Sequence, residues 1–286
     1  MVMSRNQMRA GEKPGVTYLL NALRWVLIVL VLVVFLFPIY WIIIGSLKTI
    51  GEFYTTPPTF LPKRLVFENY TDALSVRGSK GLLDSMIVSL VVTILTMIIS
   101  VPASYSIARY SPGGKQISFF ILSILFLPPV VGVIPLFFIF RTLRLLDTYY
   151  VLFLSYFFFN LPFCIWIMKG FFDDIPIDLE QAALVDGFSR IKVFFKVSIP
   201  LARAGIAVAG LFAFIFSWNE LMFASIFGRR AVQTLPLVLQ DYIGSIGIAW
   251  GKLCALGTIA ALPSIILAFL MQKYIVRGLT FGAVKG

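Results

Sequence analysis

Apolar runs, uncharged except for Glu220 in the fifth, recur along the chain at residues 25–47, 85–108, 116–140, 148–168, 204–224 and 253–272. Each is near the roughly 17–25 residues that cross a bilayer as a helix, the fifth being the least regular. None shows the two-residue alternation of a barrel strand. The pattern predicts an all-α polytopic membrane protein with six transmembrane helices. Prolines fall inside these runs at Pro38, Pro102, Pro128, Pro129, Pro135, Pro162 and Pro263. Lipid cannot satisfy the carbonyls they free, so neighbouring helices or a wet cavity must, which implies a packed bundle. The third run, with three prolines and Gly132 close together, is predicted to bend, either lining a pathway or as a static kink.

One polar gap carries a pattern of its own, "IDLEQAALVDGFSR" at residues 177–190. Asp178 followed by Gln181 matches a capping box, Pro176 keeps the entering chain extended, and Gly187 is placed to take the left-handed stop. A second cap at Ser189 is predicted to start a helix over 191–198 that Pro200 ends. So short a first helix is unstable alone in water and needs something to dock against. Ala182 and Ala183 give it a low profile, and Glu180 and Asp186 offer anionic anchors to a partner. An interfacial helix lying on lipid is the competing reading. Asp173, Asp174, Asp178, Glu180 and Asp186 make this the most acidic segment of a basic chain, a poor match for an anionic leaflet.

Composition agrees with a membrane solvent: 59% of residues are hydrophobic and 13% charged, too few polar groups to coat a soluble globule. The net charge of +11 is dispersed over the connectors, which suits lipid headgroups and not nucleic acid. The larger share of the 24 Lys and Arg residues lies in the N-terminal segment, the 109–115 loop, the acidic gap and the C-terminal tail, so both termini and the gap are expected on the cytoplasmic side. With no histidine, imidazole metal sites and histidine-dependent triads are excluded, and no metal or cofactor is expected in the chain. Cys164 and Cys254 are too far apart in sequence for a CxxC pair and read as small buried hydrophobes. Gly114-Lys115 and Gly251-Lys252 lack the rest of a phosphate-binding loop, so ATP is not expected to bind here. Glu220, in "SWNEL" with Trp218 and Asn219, is either an interface residue reaching water or a polar group facing a pathway or gate.

The stretch "LEQAALVDGFSRIKVFFKVSIPLARAG", residues 179–205, resembles the EAA loop of permease subunits of bacterial ABC importers, with Glu180, Ala182, Ala183, Asp186, Gly187 and Pro200 in the motif positions. It departs from the pattern at Gln181, Phe188 and Ser198-Ile199. "FPIYWIIIGSLK", "ENY", "ASYSIARY", "LLDTYYVL", "SWNEL" and "QKYIVRGLTFGAVKG" are similar to stretches of the carbohydrate branch of MalG type. The resemblance implies the type I importer transmembrane fold, with a cytoplasmic segment 1–24, a transmembrane domain 25–286 and a coupling loop 173–203. It further implies a second, MalF-like permease, two cytoplasmic ATPases that carry ATP and Mg, an external solute-binding protein, and the bacterial cytoplasmic (inner) membrane. The C-terminal "GLTFGAVKG" resembles a tail that can contact those ATPases. An ion-coupled secondary transporter or a membrane-embedded enzyme would place carboxylates, lysines or a nucleophile and base inside the spans, and Glu220 is the only acid there.

Overall fold

A computed structural model describes residues 14–228, 230–244 and 247–281. The helices run in the order α1 (Pro14–Gly45), α2 (Glu68–Ala73), α3 (Val76–Tyr110), α4 (Gly114–Leu125), α5 (Pro129–Thr142), α6 (Tyr149–Asp173), α7 (Ile177–Val185) and α8 (Arg190–Val193). A π turn at Phe194–Ser198 then leads to α9 (Ile199–Leu201), α10 (Arg203–Trp218), α11 (Met222–Phe227), α12 (Leu235–Asp241) and α13 (Trp250–Phe281). Two-residue strands, Ile243–Gly244 and Gly247–Ile248, pair antiparallel between α12 and α13.

Among the described residues four helices are long and apolar enough to cross a membrane: Leu20–Gly45, Val76–Tyr110, Tyr149–Asp173 and Trp250–Tyr274. The other two spans are broken. The third splits into α4 and α5, which meet at 90°. Pro129 forces the residue before it, Pro128, into an extended conformation (ψ 128°), and Pro129 itself opens α5 where its missing N–H is harmless. The bend read from the proline cluster is therefore present. Pro38, Pro102, Pro162 and Pro263, by contrast, lie within helices that continue through them. The fifth run, expected as one apolar stretch over 204–224, is interrupted: α10 stops at Trp218 and α11 begins at Met222, and on its other side α10 meets the Arg190–Leu201 segment at 75°.

The bundle is organised by α3, which packs against α6 and α10, while α13 covers α10 and touches α1. The face of α3 turned inward alternates apolar residues such as Val88, Val92 and Val101 with small polar ones, Ser85, Ser89, Thr96, Ser100 and Ser104, all buried. Small side chains let backbones approach closely where lipid supplies no hydrophobic drive between helices. On α10 the same role falls to Ala209, Ala213 and Gly205; a Cβ on Gly205 would stand 2.4 Å from the Phe171 ring. Cys164 and Cys254 are free; Cys164 is buried as expected, whereas Cys254 is only half-buried. α1 differs from the rest, since most of its apolar length is exposed and it meets the chain only toward its C-terminal end, where Trp41 and Ile44 are half-buried and Gly45 is buried beside Cys254.

At the end of the bundle away from α7, connectors are fastened by carboxylates. Asp147 accepts the backbone amides of Arg230 (3.0 Å), Ala231 (3.0 Å) and Val232 (3.4 Å). Glu52 accepts from the Lys63 amide (2.7 Å) and from the amide and hydroxyl of Thr49 (both 2.9 Å).

Candidate functional site at the short helix and the interrupted spans

α7 forms in the acidic gap, but not by the predicted box. Its N-cap is Pro176, extended at ψ 126°, and no side chain caps it. Asp178 therefore falls inside the first turn, where with Glu180 it meets the positive end of the helix dipole. The expected capping box between Asp178 and Gln181 is corrected on this point. The stop is as expected: Gly187 has φ +85°. Its amide donates to the Leu184 carbonyl and the Phe188 amide to that of Ala183, both at 3.0 Å, which is the Schellman pattern that needs a left-handed residue at this place.

Ser189 caps α8 by accepting from the Lys192 amide at 3.4 Å. The helix does not end before Pro200, as the sequence suggested. It widens into the π turn at Phe194–Ser198 and passes through Pro200 into α9. A widened turn offers room for a ring that otherwise strikes the carbonyl four residues back.

The side chains of the gap divide between inside and outside. Glu180 is buried, 7% exposed, against an Arg109 that is 8% exposed, with Arg109 Nη2 3.0 Å from Oε1. Its oxygens accept from Arg109 Nε (3.0 Å), Ser198 Oγ (2.9 Å) and the Tyr105 hydroxyl (3.0 Å). The expectation that Glu180 offers its charge to a partner is thus corrected: the carboxylate is saturated within the chain. Ala183 is buried beside it, whereas Gln181, Ala182, Asp186 and Gly187 are exposed, as is Pro200 further on. Val185 is 88% exposed, and Ile191 and Phe195 also stand out from this end. An apolar residue so exposed next to Ala182 gives α7 a smooth outer face with Asp186 at its rim.

Arg109 and Tyr105 were not singled out as site residues, although the signal was present. They are four apart on α3, so they share one face, and Arg109 is the basic residue of its last turn. A buried arginine at the end of an apolar span requires an acid nearby.

The second candidate place lies where the two broken spans meet. A cavity of about 270 Å³ is lined by Leu127, Pro129, Tyr156, Asn160, Glu220 and Phe223 among others. Glu220 is half-buried and caps α11, accepting from the amides of Phe223 (2.9 Å) and Ala224 (3.3 Å). Asn160 donates to Ser217 Oγ at 2.9 Å from across α6. Asn219 is exposed and returns its amide to the Ile215 carbonyl (2.8 Å), closing the end of α10. Trp218 is buried, stacked on Phe214, with its indole N–H on the Ala260 carbonyl of α13 (3.0 Å). Of the three residues of "SWNEL" singled out, Glu220 reaches the cavity while Trp218 belongs to the packing between α10 and α13. Among the described residues there is no cluster of His, Cys, Asp and Glu that would hold a metal.

The chain is thus a helical bundle with spans long enough to cross a membrane, two interrupted spans and a short, exposed helix held at one end. Residues 100–281 match the family model described as the binding-protein-dependent transport system inner membrane component, and the chain belongs to that family. It is 36% identical over 281 residues to a sulfoquinovosyl glycerol transport system permease of Agrobacterium fabrum, covering 96% of this chain and 99% of that one. It is 35% identical to the trehalose/maltose permease MalG of Thermococcus litoralis, over 90% and 94% of the two chains. It is also 35% identical to the trehalose permease SugB of Mycobacterium tuberculosis, over 88% and 93%. The fold is similar to that of a bacterial ABC transporter for alginate import, with TM-score 0.75 and 22% identity over 96% of this chain and 99% of that chain. The family resemblance and the importer transmembrane fold expected from the sequence are therefore both present.

Proposed function

We propose that this chain is one permease subunit of an ATP-driven importer for a sugar or oligosaccharide. The observation that carries the reading is α7: a nine-residue helix presented at one end of the bundle, with Ala182 and Val185 outward and Asp186 at the rim. With its inner side already held by α3 and the π turn, the helix leaves Val185 88% exposed beside Ala182, a face suited to a protein cleft. The chain's own residues do not supply ATP chemistry, so the receiver is a separate ATPase, one of two, holding ATP and Mg. The relatives named for sulfoquinovosyl glycerol, trehalose and maltose support a carbohydrate as cargo. A family defined by dependence on a binding protein supports external delivery by a solute-binding protein.

In the working complex a second, MalF-like permease completes the path, and the bias of basic residues supports α7 and both termini on the cytoplasmic face. ATP binding closes the ATPase pair and displaces α7, and the packed spans carry that displacement to the pathway. Glu220, on the cavity between the two interrupted spans, is the residue of this chain placed to meet a hydroxylated cargo or to gate it. Trp218 and Asn219 hold the break that presents it.

The test is reconstitution. Proteoliposomes containing the full complex accumulate sugar only with ATP on the ATPase side, and Val185→Cys cross-links to an ATPase subunit. Accumulation by this chain alone on an ion gradient overturns the reading.

A further inference from the structure

We propose that Arg109 is the positioning residue that locks α7 to the α3 span, so that displacement of α7 moves α3 with it as one body. The inference rests on the docking role proposed for α7 and specifies how motion leaves it.

Arg109 sits in the last turn of α3 and reaches two points of the loop at once. Its Nε donates to Glu180 Oε1, within α7, at 3.0 Å, and Nη2 forms an ion pair with the same oxygen at 3.0 Å. Nη2 also donates to the Ile175 carbonyl, just before α7, at 3.0 Å. From one turn earlier on α3, the Tyr105 hydroxyl takes Glu180 Oε2 (3.0 Å), and Ser198 of the π turn takes Oε1 (2.9 Å). The segment before α7, α7 itself and the π turn beyond α8 are thus tied to a single carboxylate and a single guanidinium. The Tyr105 ring lies against Phe172 and Phe194, at 5.4 Å and 4.8 Å between centroids, and shields the pair from water.

The geometry is that of a lock and not of a docking surface. A guanidinium is a planar fork that fixes direction as well as distance, and both charges are removed from solvent. Apart from this pair, α7 packs against α8 and the π turn and is joined to α6 by Asp174 to Pro176, contacts that leave it able to swing relative to α3. A swinging α7 would absorb the stroke of the ATPase instead of passing it to α3, the helix around which α6 and α10 are packed.

The experiment uses the full complex in proteoliposomes, with three readouts: co-purification of the ATPase subunits, stimulation of ATP hydrolysis by sugar-loaded binding protein, and sugar uptake. Arg109→Leu removes every contact of the guanidinium but leaves the outer face of α7 intact. The ATPases stay bound, while stimulation and uptake fall about tenfold or more. In the pair Arg109→Gln with Glu180→Gln, the glutamine amide nitrogen takes the place of Arg109 Nε. The neutral amide at position 180 can still accept from residue 109 and Ser198 and donate to the Tyr105 oxygen. Both functions recover to within about threefold of wild type. Wild-type coupling in Arg109→Leu, or a double variant as uncoupled as the leucine variant, overturns the lock. Should the leucine variant fail to accumulate, Arg109→Met takes its place: it keeps the length of the stem and loses every donor, and full coupling there overturns the proposal equally. Failure of the Val185→Cys cross-link in otherwise intact complex defeats the docking role of α7 itself, a different result from either.

Discussion

The Tyr149 hydroxyl donates a 2.6 Å hydrogen bond to Asp84 Oδ1, joining the first turn of α6 to α3. The other oxygen of Asp84 accepts from Lys80 Nζ (2.8 Å) and from the Gln233 amide (2.7 Å). One buried carboxylate therefore ties two spans to the connector that precedes α12. Asp84→Ala strands these donors and is expected to cost about 2–4 kcal/mol, most of it from the Tyr149 and Gln233 groups that water reaches poorly. Thermal unfolding of the purified complex in detergent reads the effect, and Tyr149→Phe should show about 1 kcal/mol of it.

Gly205 and Phe171 allow no methyl group between them, since a Cβ would come within 2.4 Å of the ring. Gly205→Ala forces α10 away from α6 and is expected to destabilise by about 1–3 kcal/mol, as overpacked cores do. Phe171→Gly removes both the ring and the Phe171 Cβ that would stand 2.7 Å away; a smaller loss of melting temperature from Gly205→Ala in that background than in wild type identifies overpacking as the cause.

Gly187 at φ +85° faces open space, so a side chain there meets strain and not a clash. Gly187→Ala is expected to cost about 1 kcal/mol through the left-handed backbone alone. Gly187→Asn, better suited to that region, should cost less. ATPase co-purification follows the same order if the Schellman stop sets the angle of α7.

Glu220→Gln keeps the shape of the side chain and removes its charge. A carboxylate that only caps α11 loses about 1 kcal/mol of helix-terminal stabilisation. One that also meets the cargo lowers sugar uptake by roughly tenfold, equivalent to about 1.4 kcal/mol in the barrier. Uptake rate against melting temperature separates the two roles, and wild-type uptake removes the gating role.

Glu52 gives a pH signature. The backbone amides of Lys63 and then Thr49 hold its carboxyl below the ordinary value of 4.5. A lowered acid contributes stability that is complete above its ordinary value and is lost as pH falls through the native-state value. The melting temperature of wild type is thus expected to decline relative to Glu52→Gln only below about pH 4.5, and the two should run parallel above it.

What the sequence made legible was local. Gly187 stops α7 because its backbone must turn left-handed, and the Pro128-Pro129 step breaks the third span because proline constrains the residue before it. Both effects operate within a few residues. The capping box failed because Pro176 already supplies the extended entry, so Asp178 is carried past the cap position. Glu180 was misread for a different reason: its partners, Tyr105 and Arg109, lie more than seventy positions earlier, and only the packing of α3 against the loop brings them together. The interruption at 219–221 was likewise hidden in an apolar run, because what stabilises it is Glu220 turning back onto the amides of α11.

The grip of Asp147 on three successive amides, Arg230 to Val232, has a mechanical corollary. A strand of chain pegged in this way has no slack to flap over an opening. Any motion at that end is therefore expected to carry this segment along with the start of α6, as trim fixed to its frame.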